Sequence, residues 1–124
     1  MATLEITKDN FKETYEKNDI VILDFWASWC GPCMNFAPVY EKVSEQYPNV
    51  VFGKIDTEAE KELAAHFSIR SIPTIMVIRE GYELFFQPGA LAEEHLVELV
   101  TKVQELDMEE VKKQMDAEDQ KSDS

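Results

Sequence analysis

Basic residues are scarce in this 124-residue chain: 12 lysines and arginines stand against 25 aspartates and glutamates, for a formal net charge of -13. Phosphate recognition needs clustered cations, so nucleic acid is excluded as a partner, and an anionic membrane surface is excluded on the same ground. Long apolar runs are also missing. The longest, such as Ile20 to Leu23, are far too short to cross a bilayer. The opening MATLEITKDN has neither a basic start nor an apolar stretch of leader length, from which a soluble, cytoplasmic protein is expected. Cysteine is limited to two residues and histidine to two, and no internal repeat is apparent.

What is present suits one packed domain. Hydrophobic residues make up 44% and aromatics 10% of the sequence, enough for a single core without covalent staples. The pattern reads as alternating strands and helices. Strands are expected at 3–6, 19–27, 50–56, 73–80 and 82–87, with helices at 8–17, 30–47, 58–67 and 92–106. The first helix takes Thr7 or Asp9 as its N-cap and sets Phe11 and Tyr15 on one face. Phe36, Val39, Tyr40, Val43 and Tyr47 keep helical spacing in the second, with Pro38 expected to kink it. Leu96, Leu99, Val100 and Val103 face inward in the last. Gly81 marks a hairpin. The expected architecture is α/β: a central mixed five-stranded sheet, three parallel strands plus an antiparallel hairpin, flanked by four helices. After Leu106 the composition shifts: residues 107–124 hold seven acids, three lysines and no aromatic. The domain is therefore placed at 1–106, and 107–124 is read as an acidic extension, partly helical or disordered.

Both cysteines fall in FWASWCGPC, three positions apart. Cys30 follows a strand and opens a helix, where unpaired N–H groups and the helix dipole favour a thiolate. Pro32 suits a first helical turn, and Gly31 lets another backbone approach. Cys33 lies one turn on, on the same side as Cys30 and deeper. Cys30 is thus placed to attack a disulfide, and Cys33 to attack the resulting mixed disulfide. A structural staple would close too short a loop to remove much chain entropy. A zinc site would need His66 and His95 as further ligands, and both read as surface or boundary residues, so no metal is expected. Asp24 is anomalous inside the apolar run VILDFWA. A buried carboxylate there has a raised pKa and can take and return the proton of Cys33. Lys54, on the neighbouring strand, would snorkel over it or pair with it.

These residues resemble the thioredoxin family. DFWASWCGPC resembles the family's active-site motif, RSIPT (70–74) its cis-proline loop and PGAL (88–91) its Gly-Ala-Leu loop, and the likeness runs over residues 1 to about 106. The resemblance implies the thioredoxin fold and a protein-disulfide reductase with no bound cofactor. It implies electrons supplied by a thioredoxin reductase, disulfide-containing client proteins as partners, and a monomer. It implies catalytic roles for Cys30, Cys33, Asp24 and Lys54. It also implies a cis Pro73, backbone hydrogen bonds from Ile72 to a client strand, and an apolar collar of Trp29, Ile72, Pro73, Gly89 and Ala90 beside Gly31 and Pro32. Three positions depart from the pattern: Met34 where a lysine is common, Thr57 in place of an aliphatic residue, and Pro88 in place of valine. The alternatives are an oxidant or isomerase of the same fold, and a binding module that docks partners on the collar.

Overall fold

The computed structural model describes residues 2–122. Its elements run β1 (Thr3–Glu5), α1 (Phe11–Lys17), β2 (Ile20–Trp26), α2 (Gly31–Gln46), β3 (Val51–Asp56), α3 (Lys61–His66), β4 (Thr74–Arg79), β5 (Tyr82–Pro88), α4 (Glu93–Glu105) and α5 (Met108–Ser122). The sheet order is β1-β3-β2-β4-β5, parallel among the first three and antiparallel from β2 to β4 to β5. This is the mixed sheet expected from the sequence.

Strand β2 lies at the centre, and six consecutive residues from Ile20 to Phe25 are buried. Alternation divides their side chains between the two faces. Ile20 and Ile22 join Phe36, Tyr40, Phe52, Ile75, Leu96 and Val100 beneath α2 and α4. Val21, Leu23 and Phe25 join Ile55, Met76 and Leu63 beneath α1 and α3. Each large side chain buried this way contributes about 1.5–3 kcal/mol. The helix faces read from spacing hold. Phe36, Tyr40 and Val43 are buried, with Val39 and Tyr47 packed at the margin; Leu96, Val100 and Val103 are buried, with Leu99 beside them. Pro38 lies inside α2 without ending it.

Two helix starts differ from expectation. Helix α1 is N-capped at Asn10, not Thr7 or Asp9. The Asn10 side chain accepts from the Thr7 N–H at 2.8 Å and Phe11 N–H donates to the Thr7 carbonyl, so a turn occupies 7–10 before the helix begins. Helix α3 begins at Lys61 and not at 58, because Asp56 Oδ1 accepts from the N–H groups of Glu58 and Ala59 and folds them into a turn.

Helix α3 closes on two carbonyl bonds, Ser68 N–H to Ala65 and Ile69 N–H to Ala64, the pattern that calls for a left-handed residue at Ser68. Ser68 has φ 56°, a conformation that costs a residue with a side chain about 1–2 kcal/mol. Part of that gain is lost to glycine's greater freedom when unfolded. Ser68→Gly is expected to raise stability by about 0.5–1 kcal/mol in denaturant titration. An unchanged or lower midpoint would show that the strain is relieved some other way.

The β4–β5 hairpin turns through Glu80 (φ 51°) and Gly81 (φ 88°), both left-handed, as a two-residue turn matched to strand twist requires. A fifth helix, α5, occupies the stretch expected from the sequence to be an acidic extension, partly helical or disordered. Met108 is buried, Lys112 pairs with Glu80 at 2.8 Å, and the Tyr82 hydroxyl donates to Asp116 at 3.2 Å. The junction between α4 and α5 is tied by Arg79. Its guanidinium donates to the carbonyls of Val103 (2.6 Å) and Leu106 (3.3 Å), and its Nε donates to Asp19 (3.3 Å). Arg79→Met is expected to cost about 2 kcal/mol and to speed amide exchange through residues 103–118, with turnover retained. Unaltered exchange there would remove Arg79 as the tie.

Candidate active site

The end of β2 and the start of α2 set the site. Ala27, Ser28 and Trp29 carry the chain from Trp26 to Cys30, whose N–H donates to the Ala27 carbonyl at 3.1 Å. Cys30 is the N-cap of the 16-residue helix α2, and its sulfur accepts from the Cys33 N–H at 3.2 Å. The two cysteines are joined as a disulfide, with Cα atoms 5.2 Å apart. The Cys33 N–H aimed at the Cys30 sulfur, together with the helix dipole, would stabilise negative charge on it once the bond is reduced. Burial separates the two less than the sequence suggested: Cys30 is 5% and Cys33 1% exposed, so both are buried in the disulfide state.

Strand β4 closes the site from the other side. The Ile72–Pro73 peptide is cis, Pro73 is buried, and the Ile72 carbonyl oxygen lies 3.8 Å from the Cys30 sulfur. The Gly89 N–H donates to the Pro73 carbonyl at 2.7 Å, which brings the loop after β5 against the proline. Gly89 has φ 101°, a left-handed geometry that glycine adopts without strain. Trp29 is 69% exposed, and its indole N–H donates to Glu58 at 2.9 Å. Gly31, Pro32 and Ala90 are exposed. A groove of about 340 Å³ runs between Trp29 and Ile72, bounded by Thr57, Ala64, Ile69 and Arg70. Ala64 and Ile69 were not singled out from the sequence, and Arg70 entered only as the first residue of RSIPT; proximity in the fold reveals them as lining. Of the departures, Thr57 donates its hydroxyl to the Trp26 carbonyl at 3.1 Å, Met34 is 47% exposed beside the disulfide, and Pro88 ends an edge strand.

Asp24 has no exposed surface, and neither carboxyl oxygen has a hydrogen-bond partner. It shares the sheet face of Ile20 and Ile22, the face covered by α2. Burial pushes its carboxyl up to about 7, against an opposing pull from Lys54. Lys54 is Asp24's register partner on β3, but it forms no ion pair with it; its ammonium sits over the Trp26 ring, 4.8 Å from the centroid. Tyr40 lies nearby, buried, with its hydroxyl donating to the Gly53 carbonyl at 2.7 Å, and burial together with Asp24's charge holds that hydroxyl well above its usual range.

His66 and His95 are both exposed, and among the described residues no group of three His, Cys, Asp or Glu side chains could hold a metal. No helix among those residues is long and apolar enough to cross a membrane.

The arrangement is a reversible dithiol–disulfide switch at a helix tip, on a strand that also carries a buried, unpartnered carboxylate, with an open groove between Trp29 and Ile72. Comparison with known proteins agrees. The profile of the Thioredoxin family matches residues 2–102. A Streptomyces coelicolor protein assigned as thioredoxin 2 is 54% identical over 112 residues, covering 90% of this chain and 84% of that protein. Thioredoxin C-3 of Corynebacterium nephridii is 44% identical over 92 residues, 73% of this chain and 63% of the other. Among solved structures, a thioredoxin of Plasmodium falciparum superposes with a TM-score of 0.75 at 35% identity, covering 81% of this chain and 98% of that one.

Proposed function

The chain belongs to the thioredoxin family and is a disulfide reductase of that type, and on that premise we propose how its residues divide the work. Cys30 in its thiolate form attacks one sulfur of a client disulfide. A bond forms between Cys30 and that sulfur, and the second client sulfur leaves as a thiolate and takes up a proton. Cys33 then loses its proton to the Asp24 carboxylate and attacks the Cys30 sulfur. The Cys30–Cys33 disulfide forms and the Cys30–client bond breaks. The first client sulfur leaves as a thiolate that takes up the second proton, the one Asp24 holds returning through solvent, so two electrons and two protons have passed to the client. The observation that carries this reading is Cys30's place as the N-cap of α2, where its sulfur accepts the Cys33 N–H.

Lys54 tunes Asp24 through space, lowering its pKa without contact. Trp29, Ile72, Pro73, Gly89 and Ala90, with Gly31 and Pro32 at the helix tip, receive the client chain, and Ile72 offers it backbone hydrogen bonds. The family works without a prosthetic group. A thioredoxin reductase is the proposed electron source, disulfide-containing proteins the clients, the monomer the working form and the cytoplasm its compartment. Residues 1–106 make the catalytic domain, and 107–124 an extension to it.

Cys33→Ser tests the division of labour. Incubated reduced with a disulfide-bonded protein, it is expected to accumulate a covalent adduct that peptide mapping locates at Cys30. An adduct through another residue, or no adduct while the wild type turns over, would remove Cys33 as the resolving group.

A further inference from the structure

Strand β5 is the outer strand of the sheet, with β4 on one side and no strand on the other among the described residues. Its sequence, YELFFQP, carries a single charge, at Glu83, in a protein of net charge -13. Its two phenylalanines divide between the faces. Phe86 stands opposite Met76, on the α1 and α3 side, and is 42% exposed. Phe85 stands opposite Val77 and lines a groove of about 400 Å³ against α4, with Leu91 and Leu99. The charges bordering that groove, Glu98 and Lys102, pair with each other at 2.7 Å, so no net charge is left there. Glu83, Pro88 and the contact of α5 with Tyr82 guard the two ends of this edge, but Leu84 to Gln87 carry no charge, and an uncharged edge segment can template another strand.

We propose that the outer edge of β5 beyond Tyr82 and its flanking apolar side chains form a second client-binding surface, which takes an extended, uncharged stretch of the client as a sixth strand. The occupant follows from continuity. β5 ends at Pro88, and the next residue, Gly89, donates to the carbonyl of Pro73 beside the disulfide. A client chain seated on the collar therefore reaches the β5 edge without leaving the surface, and the six residues from Glu83 to Pro88 extend that contact by about 20 Å. An added strand would place alternate side chains beside Phe85 on one face and Phe86 on the other, and its backbone groups would meet those of β5. The inference rests on the reductase reading above, since it assumes the collar receives a client.

The test uses two synthetic disulfide-bonded peptides that differ only in an appended Val-Thr-Val-Ile segment, together with 5,5′-dithiobis(2-nitrobenzoate), a small disulfide too short to reach β5. The full protein is expected to show a kcat/KM about tenfold higher for the longer peptide, from a few cross-strand contacts. Phe86→Glu is expected to erase that preference, mainly through KM, and to leave the rate with the small disulfide unchanged. Amide exchange at residues 84–87 is expected to slow in the presence of the longer peptide with its disulfide replaced by a thioether. Equal rates for the two peptides with the wild type, or a preference that survives Phe86→Glu without slowed exchange, would overturn the proposal. Failure to reduce the small disulfide at all would instead strike the reductase reading.

Discussion

Cys30→Ser is expected to abolish disulfide reduction, with a loss of about 10³-fold or more, because the remaining thiol, Cys33, is buried and has no second cysteine to resolve a mixed disulfide. The serine hydroxyl is ionised far less at neutral pH than a thiol, and its oxygen does not exchange with a disulfide sulfur. The fold should survive. Cys30 closes a loop of only a few residues with Cys33, and the cross-link removes little chain entropy. The core beneath α2 rests on Phe36, Tyr40 and Val43, not on the disulfide. The check is turnover of a protein disulfide alongside a denaturant titration of the same variant. Retained turnover would end the account of Cys30. Lost turnover together with lost folding would assign the residue a structural part that the packing does not show.

The second large effect belongs to Asp24. Its carboxyl is raised to about 7 by burial, whereas an unfolded aspartate titrates near 4. Between those pH values the folded state binds the proton and the unfolded state does not. Stability therefore falls as pH rises from about 4 to about 7, and levels off above that. A shift of about three units corresponds to a penalty of about 4 kcal/mol at alkaline pH, carried because neither oxygen has a partner. Asp24→Asn is expected to flatten this dependence and to be more stable than the wild type above pH 8 by about 2–4 kcal/mol. At neutral pH the same variant should slow the Cys33 step by about 10²-fold, with the inflection near pH 7 lost from the rate profile. A variant that gains stability and keeps the wild-type profile would make Asp24 a buried cost without a chemical role. A variant that gains none would mean that the carboxylate is solvated in solution.

Much of this was legible in the sequence because single residues carried strong constraints. The apolar run from Ile20 to Trp26 could only be a covered central strand, which made Asp24 conspicuous within it. The spacing of Phe36, Tyr40 and Val43 fixed the buried face of α2. Position at a strand–helix junction separated the cysteine pair from a bare motif. What was not legible depends on contacts between distant segments. Arg79 reads as the last residue of a strand, and nothing local says that its guanidinium will gather the carbonyls of Val103 and Leu106. Helix α5 has weak amphipathicity, with Met108, Val111 and Met115 as its apolar positions, so its length depends on partners at Glu80 and Tyr82 some thirty residues earlier. Ser68 gave no signal, since the left-handed position that ends α3 is one that glycine ordinarily fills. The relation of Lys54 to Asp24 was half read: the strands place them side by side, but the ammonium settles over Trp26 and acts on the carboxyl from a distance.

The reduction potential of the Cys30–Cys33 couple, measured by equilibration against dithiol buffers, tests the central claim most directly. For a general disulfide reductant it should fall near about -270 mV, the value known for thioredoxins. A value near about -180 mV would make the protein an isomerase or oxidant and turn attention to Met34 and Pro88. A pair that did not cycle would contradict the account outright.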